Sequence, residues 1–284
     1  MTITFSNENK VSYTAYDASE QNNEFTYTPP GEIFPTDQPF KAIGIISETG
    51  SGECVYTFDD VYVLRDEECP NINVVATYTH TIDKAHGLAF DGTNLWAVQY
   101  APGVIYKLQL NPDDGTAYHI QTIDIMTGDN NNCTGLTFEG KNLWAPCSYE
   151  GDPRATIYNI DQDGKIKKSF PAPGEDSTGM TFDGKYLWNG DFTSGIRKIE
   201  TNGKLVDTYP SPGPEPEGLA FDGEHLWHSD VSTNRIYKLD TSGNVICSYK
   251  GPGSYPIGLT FDGTYLWLID WDFNLYKIDI GFNN

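Results

Sequence analysis

The chain has 284 residues, of which 38% are apolar and 13% aromatic, so it can bury a large core. It carries 40 acidic and 18 basic residues, for a formal net charge of −22 at pH 7. This charge repels phosphate groups, which argues against nucleic acids and anionic membranes as partners and suits neutral or cationic ligands. No apolar run approaches the roughly 18 residues of a membrane span.

Two features of the sequence bear on the compartment of the protein. The N-terminal stretch MTITFSNENK lacks the basic and apolar parts of a signal peptide. The composition, rich in Tyr, Asn, Gly and Thr and poor in Lys and Arg, favours a secreted or cell-surface protein, and a cytosolic location stays open.

Residues 1–70 are predicted to be a β-rich segment. Strand-like runs occur at Thr2–Phe5, Val11–Tyr16, Glu24–Thr28, Lys41–Ile46 and Cys54–Leu64. The ending VYTFDDVYVL resembles the last strand of concanavalin-like and carbohydrate-binding β-sandwiches. The segment is therefore either a sandwich-like remnant or a degenerate member of the repeat array that follows it.

One motif occurs five times in the rest of the chain, at intervals of about 40 to 50 residues. It reads GLAFDGTNLW at Gly87, GLTFEGKNLW at Gly135, GMTFDGKYLW at Gly179, GLAFDGEHLW at Gly218 and GLTFDGTYLW at Gly258. Within a unit, the Asp-Gly dipeptide predicts a hairpin, and two further alternating runs predict a third and a fourth strand. Four antiparallel strands per unit are typical of a β-propeller blade, and the tryptophans are predicted to pack between blades.

The ends of the array predict how the ring closes. The last unit stops after its third strand, Leu275–Asp279, and the first unit is preceded by an extra strand, Asn73–Thr79. Pairing these two strands closes an all-β, five-bladed propeller over residues 71–284. The alternative is a six-bladed ring in which residues 24–70 form a degenerate blade.

Ligand sites are expected at the channel mouth, where loops on a rigid scaffold come together. The residues directly before the five repeat glycines are His86, Thr134, Thr178, Glu217 and Ile257. His86 and Glu217 are unlike the others, and such a pair across a channel could act as general acid and base. In a propeller without catalysis, Glu217 would be a solvated loop charge.

Asp191, Asp230 and Asp270 stand three residues after their tryptophans. Carboxylates around one mouth could bind sugar hydroxyls or hold Ca²⁺ or Mg²⁺, although no cofactor is required by the sequence. The alternative is that each aspartate bonds the backbone of the turn that follows it. The other predicted ligand-binding residues of the rim are Gln99, Tyr100, Phe192, His228 and Trp271.

The five cysteines are an odd number without metal-type spacing. Cys133 and Cys147 flank the turn at Glu139-Gly140, so they lie opposite each other or one residue out of register, which allows a cross-strand disulfide. Cys54 and Cys69 are a second candidate pair, which would leave Cys247 unpaired.

The units, for example PEGLAFDGEHLWHSD followed by RIYKLDTSGNV, resemble the repeats of the streptogramin-lyase and NHL group and of bacterial-type glutaminyl cyclases. The resemblance implies a propeller. It also implies a lyase-type His/Glu site with Mg²⁺, for which His86 and Glu217 are the nearest candidates. The TQGL-type and NELE-type segments of the cyclases are absent.

Two functions therefore remain open. The first is a non-catalytic recognition propeller, expected to be monomeric, that binds a carbohydrate, a peptide or another small molecule at the channel mouth. The alternative is an enzyme of the lyase or cyclase type with Glu217 and His86 as acid and base. The first is favoured because similar rim residues recur from blade to blade.

Overall fold

The computed structural model describes residues 72–125, 131–149, 154–192 and 195–281, together with the backbone of five strands nearer the N-terminus. The chain divides into two units, Met1–Glu67 and Glu68–Asn284. All regular elements in the described residues are β-strands. Within these residues there is no helix of the length and apolarity that a membrane crossing needs.

The first unit contains a three-stranded antiparallel sheet and a separate two-stranded pair. The sheet has the order β1-β2-β3, and β4 pairs with β5. The strands are β1 (Thr2–Ser6), β2 (Lys10–Tyr16), β3 (Asn22–Tyr27), β4 (Lys41–Ala42) and β5 (Val63–Leu64). Most of the two runs predicted at Lys41–Ile46 and Cys54–Leu64 lies outside the described residues. Both origins considered for this segment stay predictions.

The second unit contains the repeats. Its strands are β6 (Asn73–His80), β7 (Ala85–Phe90), β8 (Leu95–Gln99), β9 (Val104–Asn111), β10 (Thr116–Asp124), β11 (Asn131–Cys133), β12 (Thr137–Glu139), β13 (Asn142–Tyr149), β14 (Thr156–Asp161), β15 (Ile166–Pro171), β16 (Ser177–Phe182), β17 (Tyr186–Asp191), β18 (Gly195–Glu200), β19 (Leu205–Tyr209), β20 (Pro216–Phe221), β21 (Leu226–Asp230), β22 (Arg235–Leu239), β23 (Val245–Lys250), β24 (Pro256–Phe261), β25 (Leu266–Asp270) and β26 (Asn274–Asp279).

These strands form four-stranded antiparallel sheets. Strands β16–β19 and β20–β23 are two such sheets, and in a third β13 pairs with both β11 and β12 on one side and with β14 on the other. The order β24-β25-β26-β6-β10-β9-β8-β7 joins two further groups of four through a short parallel contact between β6 and β10. The strand predicted at Asn73–Thr79 is therefore present, and it pairs antiparallel with β26.

The acidic residue that recurs in each repeat turn binds the tryptophan that follows it five residues later. The indole Nε1 donates a hydrogen bond of 2.7–2.8 Å to the carboxylate in every unit. The pairs are Trp96–Asp91, Trp144–Glu139, Trp188–Asp183, Trp227–Asp222 and Trp267–Asp262. In the four aspartate units the other carboxylate oxygen accepts two backbone N–H groups of the turn. One side chain thus fixes both the hairpin and the indole.

Replacing Asp222 with Ala is expected to lower the free energy of unfolding by about 2–3 kcal/mol, because the buried Trp227 N–H and two turn N–H groups lose their acceptor. Urea denaturation followed by tryptophan fluorescence measures the loss. Asp113→Ala, at an exposed turn, is the control and should change the stability by less than about 0.5 kcal/mol. Equal losses in both variants would contradict the proposed role of Asp222.

The apolar cores lie between consecutive sheets, with one tryptophan in each. Trp96 packs with Leu136 and Leu143 of the following sheet, and Trp188 packs with Leu219 and Leu226. Trp144 and Trp227 lie in the equivalent clusters. The cluster around Trp267 includes Leu88 and Leu95 of β7 and β8, so the last sheet packs against the first. The tryptophans therefore pack between sheets, as the sequence indicates.

The innermost strands meet through the repeat glycines. A methyl group on Gly87 would lie 2.7 Å from Leu136 N, and one on Gly135 would lie 2.8 Å from Met180 N. Methyl groups on the other three repeat glycines would likewise crowd the backbone of the next unit. Gly179 lies against Leu219, Gly218 against Leu259, and Gly258 against Gly87. The glycines are needed because the backbones of neighbouring inner strands touch there. As a result, the residues directly before them converge at one end of the inner strands.

Candidate functional site

A cavity of about 610 Å³ opens where the inner strands converge. Four of the five residues that precede the repeat glycines line it, namely His86, Thr134, Thr178 and Glu217. The fifth, Ile257, is buried and is not among the lining residues. The repeat therefore places unlike polar groups from four units around one space, which lies within the range of volumes that small-molecule sites occupy.

His86 and Glu217 meet at this cavity. The His86 Nδ1 atom lies 3.7 Å from Glu217 Oε2, and the two side chains are 10% and 13% exposed. His86 Nδ1 also lies 3.0 Å from the carbonyl oxygen of Thr134, which can only accept a hydrogen bond. The proton of the neutral ring therefore sits on Nδ1, and Nε2 is left as the acceptor. Glu217 Oε2 has no hydrogen-bond partner.

The pKa values of the two groups are displaced in opposite directions. Burial raises the pKa of Glu217 to about 8, and the nearby carboxylates of Asp176, Glu215 and Asp230 add to the shift. Burial lowers the pKa of His86 to about 4, and its bond to the Thr134 carbonyl opposes part of the shift. At neutral pH the site therefore holds a protonated carboxyl group beside an uncharged imidazole. Displaced pKa values of this kind in a cleft are typical of functional sites.

The stability of the protein is expected to fall between about pH 6.5 and 8 because of Glu217. In this window folded Glu217 binds a proton that the unfolded chain has released, so each rise in pH favours unfolding. This trend is partly offset near pH 6.5 and below by His80, His86 and His228, because burial lowers their pKa values to about 4 while the unfolded chain still binds protons at them. Between pH 6.5 and 8, urea denaturation should show that the wild type loses about 1–2 kcal/mol of stability relative to Glu217→Gln, which keeps the three histidines. The same loss in the variant would contradict the raised pKa.

The three predicted rim aspartates are buried and their carboxylates are occupied. Asp191 pairs with Arg197 at 2.7 Å and accepts the backbone N–H of Asp176. Asp230 accepts the backbone N–H of Glu215 and both the N–H and hydroxyl of Thr233.

Asp270 accepts hydrogen bonds from its own turn, through Asp272 N and Asn274, and from the Tyr276 hydroxyl. Methyl groups on Gly174, Gly213 and Gly253 would collide with the three carboxylates, so each aspartate also packs against a glycine-containing link. Asp270 lines the cavity, and Asp191 and Asp230 are not among its lining residues. The hydrogen-bond donors around the three aspartates fit a role in stabilising turns. They leave the carboxylate oxygen atoms poorly available to Ca²⁺ or Mg²⁺.

The other predicted rim residues have different surroundings. Tyr100 lines the cavity with its ring centroid 5.4 Å from that of His86, and the exposed rings of Phe192 and Trp271 line its outer part. Gln99 is occupied by the Tyr106 hydroxyl and the Ala101 carbonyl. His228 is fully buried against Gly218 and Tyr237 and does not line the cavity.

Several cavity residues were not predicted from the sequence, among them His80 and Phe273. His80, at the end of β6, is 5% exposed and lines the cavity, and its ring centroid lies 5.8 Å from that of Phe273, which also lines it. His80 precedes the first repeat, so no equivalent position in other units pointed to it. Phe273 lies two residues beyond Trp271, in a turn where its φ is 64°.

A disulfide joins two strands of the cavity wall. Cys133 and Cys147 are directly opposite on β11 and β13 and are bonded, so the cross-strand pair allowed by the sequence is present. Their neighbours Thr134 and Pro146 line the cavity. Cys247 is also disulfide-bonded, so the expectation that it stays unpaired is wrong.

Replacing Cys133 and Cys147 together by Ala is expected to lower the free energy of unfolding by about 2–3 kcal/mol, because a loop of roughly 15 residues is no longer closed in the unfolded chain. Urea denaturation under non-reducing conditions measures the change and leaves the Cys247 bond intact. An unchanged midpoint would contradict a stabilising role for this bond.

The described fold is similar to solved propeller structures. Similarity covers 73% of this chain and 95% of a glutaminyl cyclase from Myxococcus xanthus, at a TM-score of 0.61 and 13% identity. It covers 70% of this chain and 90% of a calcium-binding regucalcin from Agrobacterium tumefaciens, at a TM-score of 0.52 and 16% identity.

A virginiamycin B lyase from Staphylococcus aureus matches over 98% of this chain and 94% of its own, at a TM-score of 0.44 and 18% identity. No family model and no curated protein sequence matches the chain. The resemblance predicted from the repeats is confirmed as a similarity of fold: an all-β propeller of four-stranded antiparallel sheets.

Proposed function

We propose that the chain is an enzyme that transfers protons at the channel mouth, with Glu217 as the general acid and His86 as the general base. The observation that carries the proposal is the buried His86–Glu217 pair, 3.7 Å apart in a cavity, with one pKa raised to about 8 and the other lowered to about 4. Groups whose surroundings displace their pKa values in opposite directions are suited to separate acid and base roles.

The proposed roles follow from the protonation states. Glu217 enters the reaction as a carboxylic acid and donates its proton to a leaving atom or to a developing negative charge. His86 enters as a neutral imidazole, with Nδ1–H bonded to the Thr134 carbonyl, and accepts a proton at Nε2. Proton removal and proton donation in one site suit an elimination or an intramolecular cyclisation, which agrees with the lyase-type or cyclase-type alternative.

We propose a ring of five blades as the scaffold of this site. Two observations support this number: contacts between the repeat glycines return from Gly258 to Gly87, and the Trp267 core contains residues of β7 and β8. Strand β6 supplies the fourth strand to the β24–β26 group. A six-bladed ring would need another sheet between β24 and β7, so these contacts favour the five-bladed arrangement.

A recognition function remains the second candidate, and the aromatic side chains that line the cavity favour it. Trp271 is 59% exposed, and Tyr100, Phe192 and Phe273 line the same cavity. Exposed aromatic faces beside polar groups can stack on a sugar or bind a peptide side chain. The disulfide-bonded cysteines favour a secreted or cell-surface location for either function.

Incubation of the full chain with mixtures of small amines, peptides and glycosides tests the proposal. Mass spectrometry should reveal a substrate that loses water, ammonia or a larger leaving group. The double variant His86→Asn/Glu217→Gln should bind the same compound without converting it. Equal conversion by wild type and variant would contradict the roles given to Glu217 and His86, and binding without any conversion would support recognition instead.

A further inference from the structure

The charged groups around the cavity are mostly of one sign. Its lining contains the carboxyl groups Asp83, Asp176, Glu217, Asp270 and Asp272, and its only lysine or arginine among the described residues is Lys84. His80 and His86 also line it, and both are uncharged at neutral pH. Asp83, Asp176 and Asp272 are exposed at the mouth. The entrance is therefore negative and attracts cations.

Aromatic rings share this entrance. Tyr100 follows β8, Phe192 follows β17, and Trp271 and Phe273 follow β25, so three sheets contribute them. We call these four residues the aromatic rim. The faces of aromatic rings attract organic cations, and rings combined with carboxylates are a common site for ammonium groups. The combination favours a cation that also has apolar surface over a bare metal ion, which prefers oxygen ligands.

Deeper in the cavity, polar atoms are left without partners. The Thr178 hydroxyl is buried in a residue that is 3% exposed, and it makes no hydrogen bond. Glu217 Oε2 is likewise without a partner. A buried hydroxyl without a partner costs free energy, which a ligand with its own donor or acceptor would recover. The cavity therefore has a cation-binding end at the rim and a neutral, hydrogen-bonding end at the acid–base pair.

We propose that the ligand of this cavity is an organic ammonium compound, with its cationic group held between the aromatic rim and the carboxylates of the mouth. Its polar, reacting end would reach Thr178 and the His86–Glu217 pair. This inference rests on the proposed acid–base function only for the reaction at the polar end of the ligand, because the binding of the cation uses other residues. A volume of about 610 Å³ suits a small amine or a short amine-bearing molecule.

Two matched pairs of probes test the charge requirement. Choline is compared with 3,3-dimethylbutan-1-ol, which replaces the charged nitrogen with carbon, and n-butylammonium is compared with n-butanol. Isothermal titration of the full chain at pH 7 and low salt should show binding of at least one cation, at least about tenfold tighter than its neutral partner. Added salt should weaken the binding. Equal binding within both pairs, or binding of neither cation, would overturn the proposal, as would preference for a neutral sugar.

Variants locate the site. Trp271→Ala should weaken cation binding about tenfold, and Asp176→Asn should weaken it several-fold at low salt. The controls are Tyr118→Ala, on exposed β10, and Asp113→Asn, at an exposed turn, and neither should change the affinity. Equal effects of site variants and controls would overturn the location.

The double variant His86→Asn/Glu217→Gln separates this proposal from the enzymatic one. It should retain cation binding, because Asp176, Asp272 and the aromatic rim are unchanged. Cation binding without turnover in the wild type would leave this inference standing and remove the enzyme. Turnover of neutral molecules without any cation binding would support the enzyme and overturn this inference.

Discussion

Glu217→Gln is expected to lower turnover at the channel mouth by about 100-fold or more, with the fold intact. Glutamine has the shape of the protonated carboxyl group that Glu217 carries at neutral pH, but it cannot donate a proton to a leaving group. The substitution therefore removes the acid and leaves the packing around His86 in place. Glu224→Gln is the matched control, because Glu224 lies in an exposed turn of the same sheet and is not among the residues that line the cavity.

The pH dependence of kcat/KM provides an independent check on Glu217. In the wild type the rate should be level between the pKa of His86, about 4, and that of Glu217, about 8, and should fall on either side. In Glu217→Gln the fall above pH 8 should disappear. An unchanged alkaline limb would show that another group donates the proton.

Gly179→Ala is expected to destabilise the second unit by about 3 kcal/mol or more. The added methyl group would lie 2.7 Å from Leu219 N and 2.8 Å from the carbonyl carbon of Gly218, and closer still to the Glu217 carbonyl oxygen. These are backbone atoms of an inner strand, so no side chain can rotate away. Relief requires the two sheets to separate, which would also move Glu217.

Gly184→Ala is the control for Gly179. Gly184 lies in the turn of the same sheet with a φ of 92°, and a methyl group there meets no atom within 4 Å. Its substitution costs only backbone strain, about 1–2 kcal/mol. Thermal denaturation of both variants separates crowding from strain. A Gly179→Ala protein as stable as the Gly184→Ala protein would contradict close contact between the inner strands.

Repetition made much of the fold and part of the site predictable. The repeat period, the Asp-Gly turns and the extra strand before Gly87 predicted the sheets and the pairing of β6 with β26. Position within the repeat also singled out His86 and Glu217. Their separation was not predictable, because it depends on how sharply the inner strands curve around the axis. That curvature follows from glycine contacts between units and has no local sequence signal.

The binding partners of the three rim aspartates could not be predicted from the sequence. Sequence position placed Asp191, Asp230 and Asp270 at the ends of equivalent strands, where they lie, and left open whether they bind a ligand or a turn. The outcome depends on donors from elsewhere, such as Arg197 for Asp191 and the Tyr276 hydroxyl for Asp270. Equivalent residues thus have different partners from unit to unit. The burial of His228 was not predictable for the same reason, because it depends on Tyr237 of the neighbouring strand.

The pairing of β6 with β26 has a consequence for synthesis of the chain. Asn73 lies opposite Asp279, so the two partners leave the ribosome roughly 200 residues apart. Until then β6 has only its two-residue contact with β10, and the inner strands β7 and β24 have not met. Contacts of such long range form late and slowly. The nascent chain therefore passes through an open arc with unpaired edges, and chaperones that cover strand edges are expected to act on it until Asp279 has emerged.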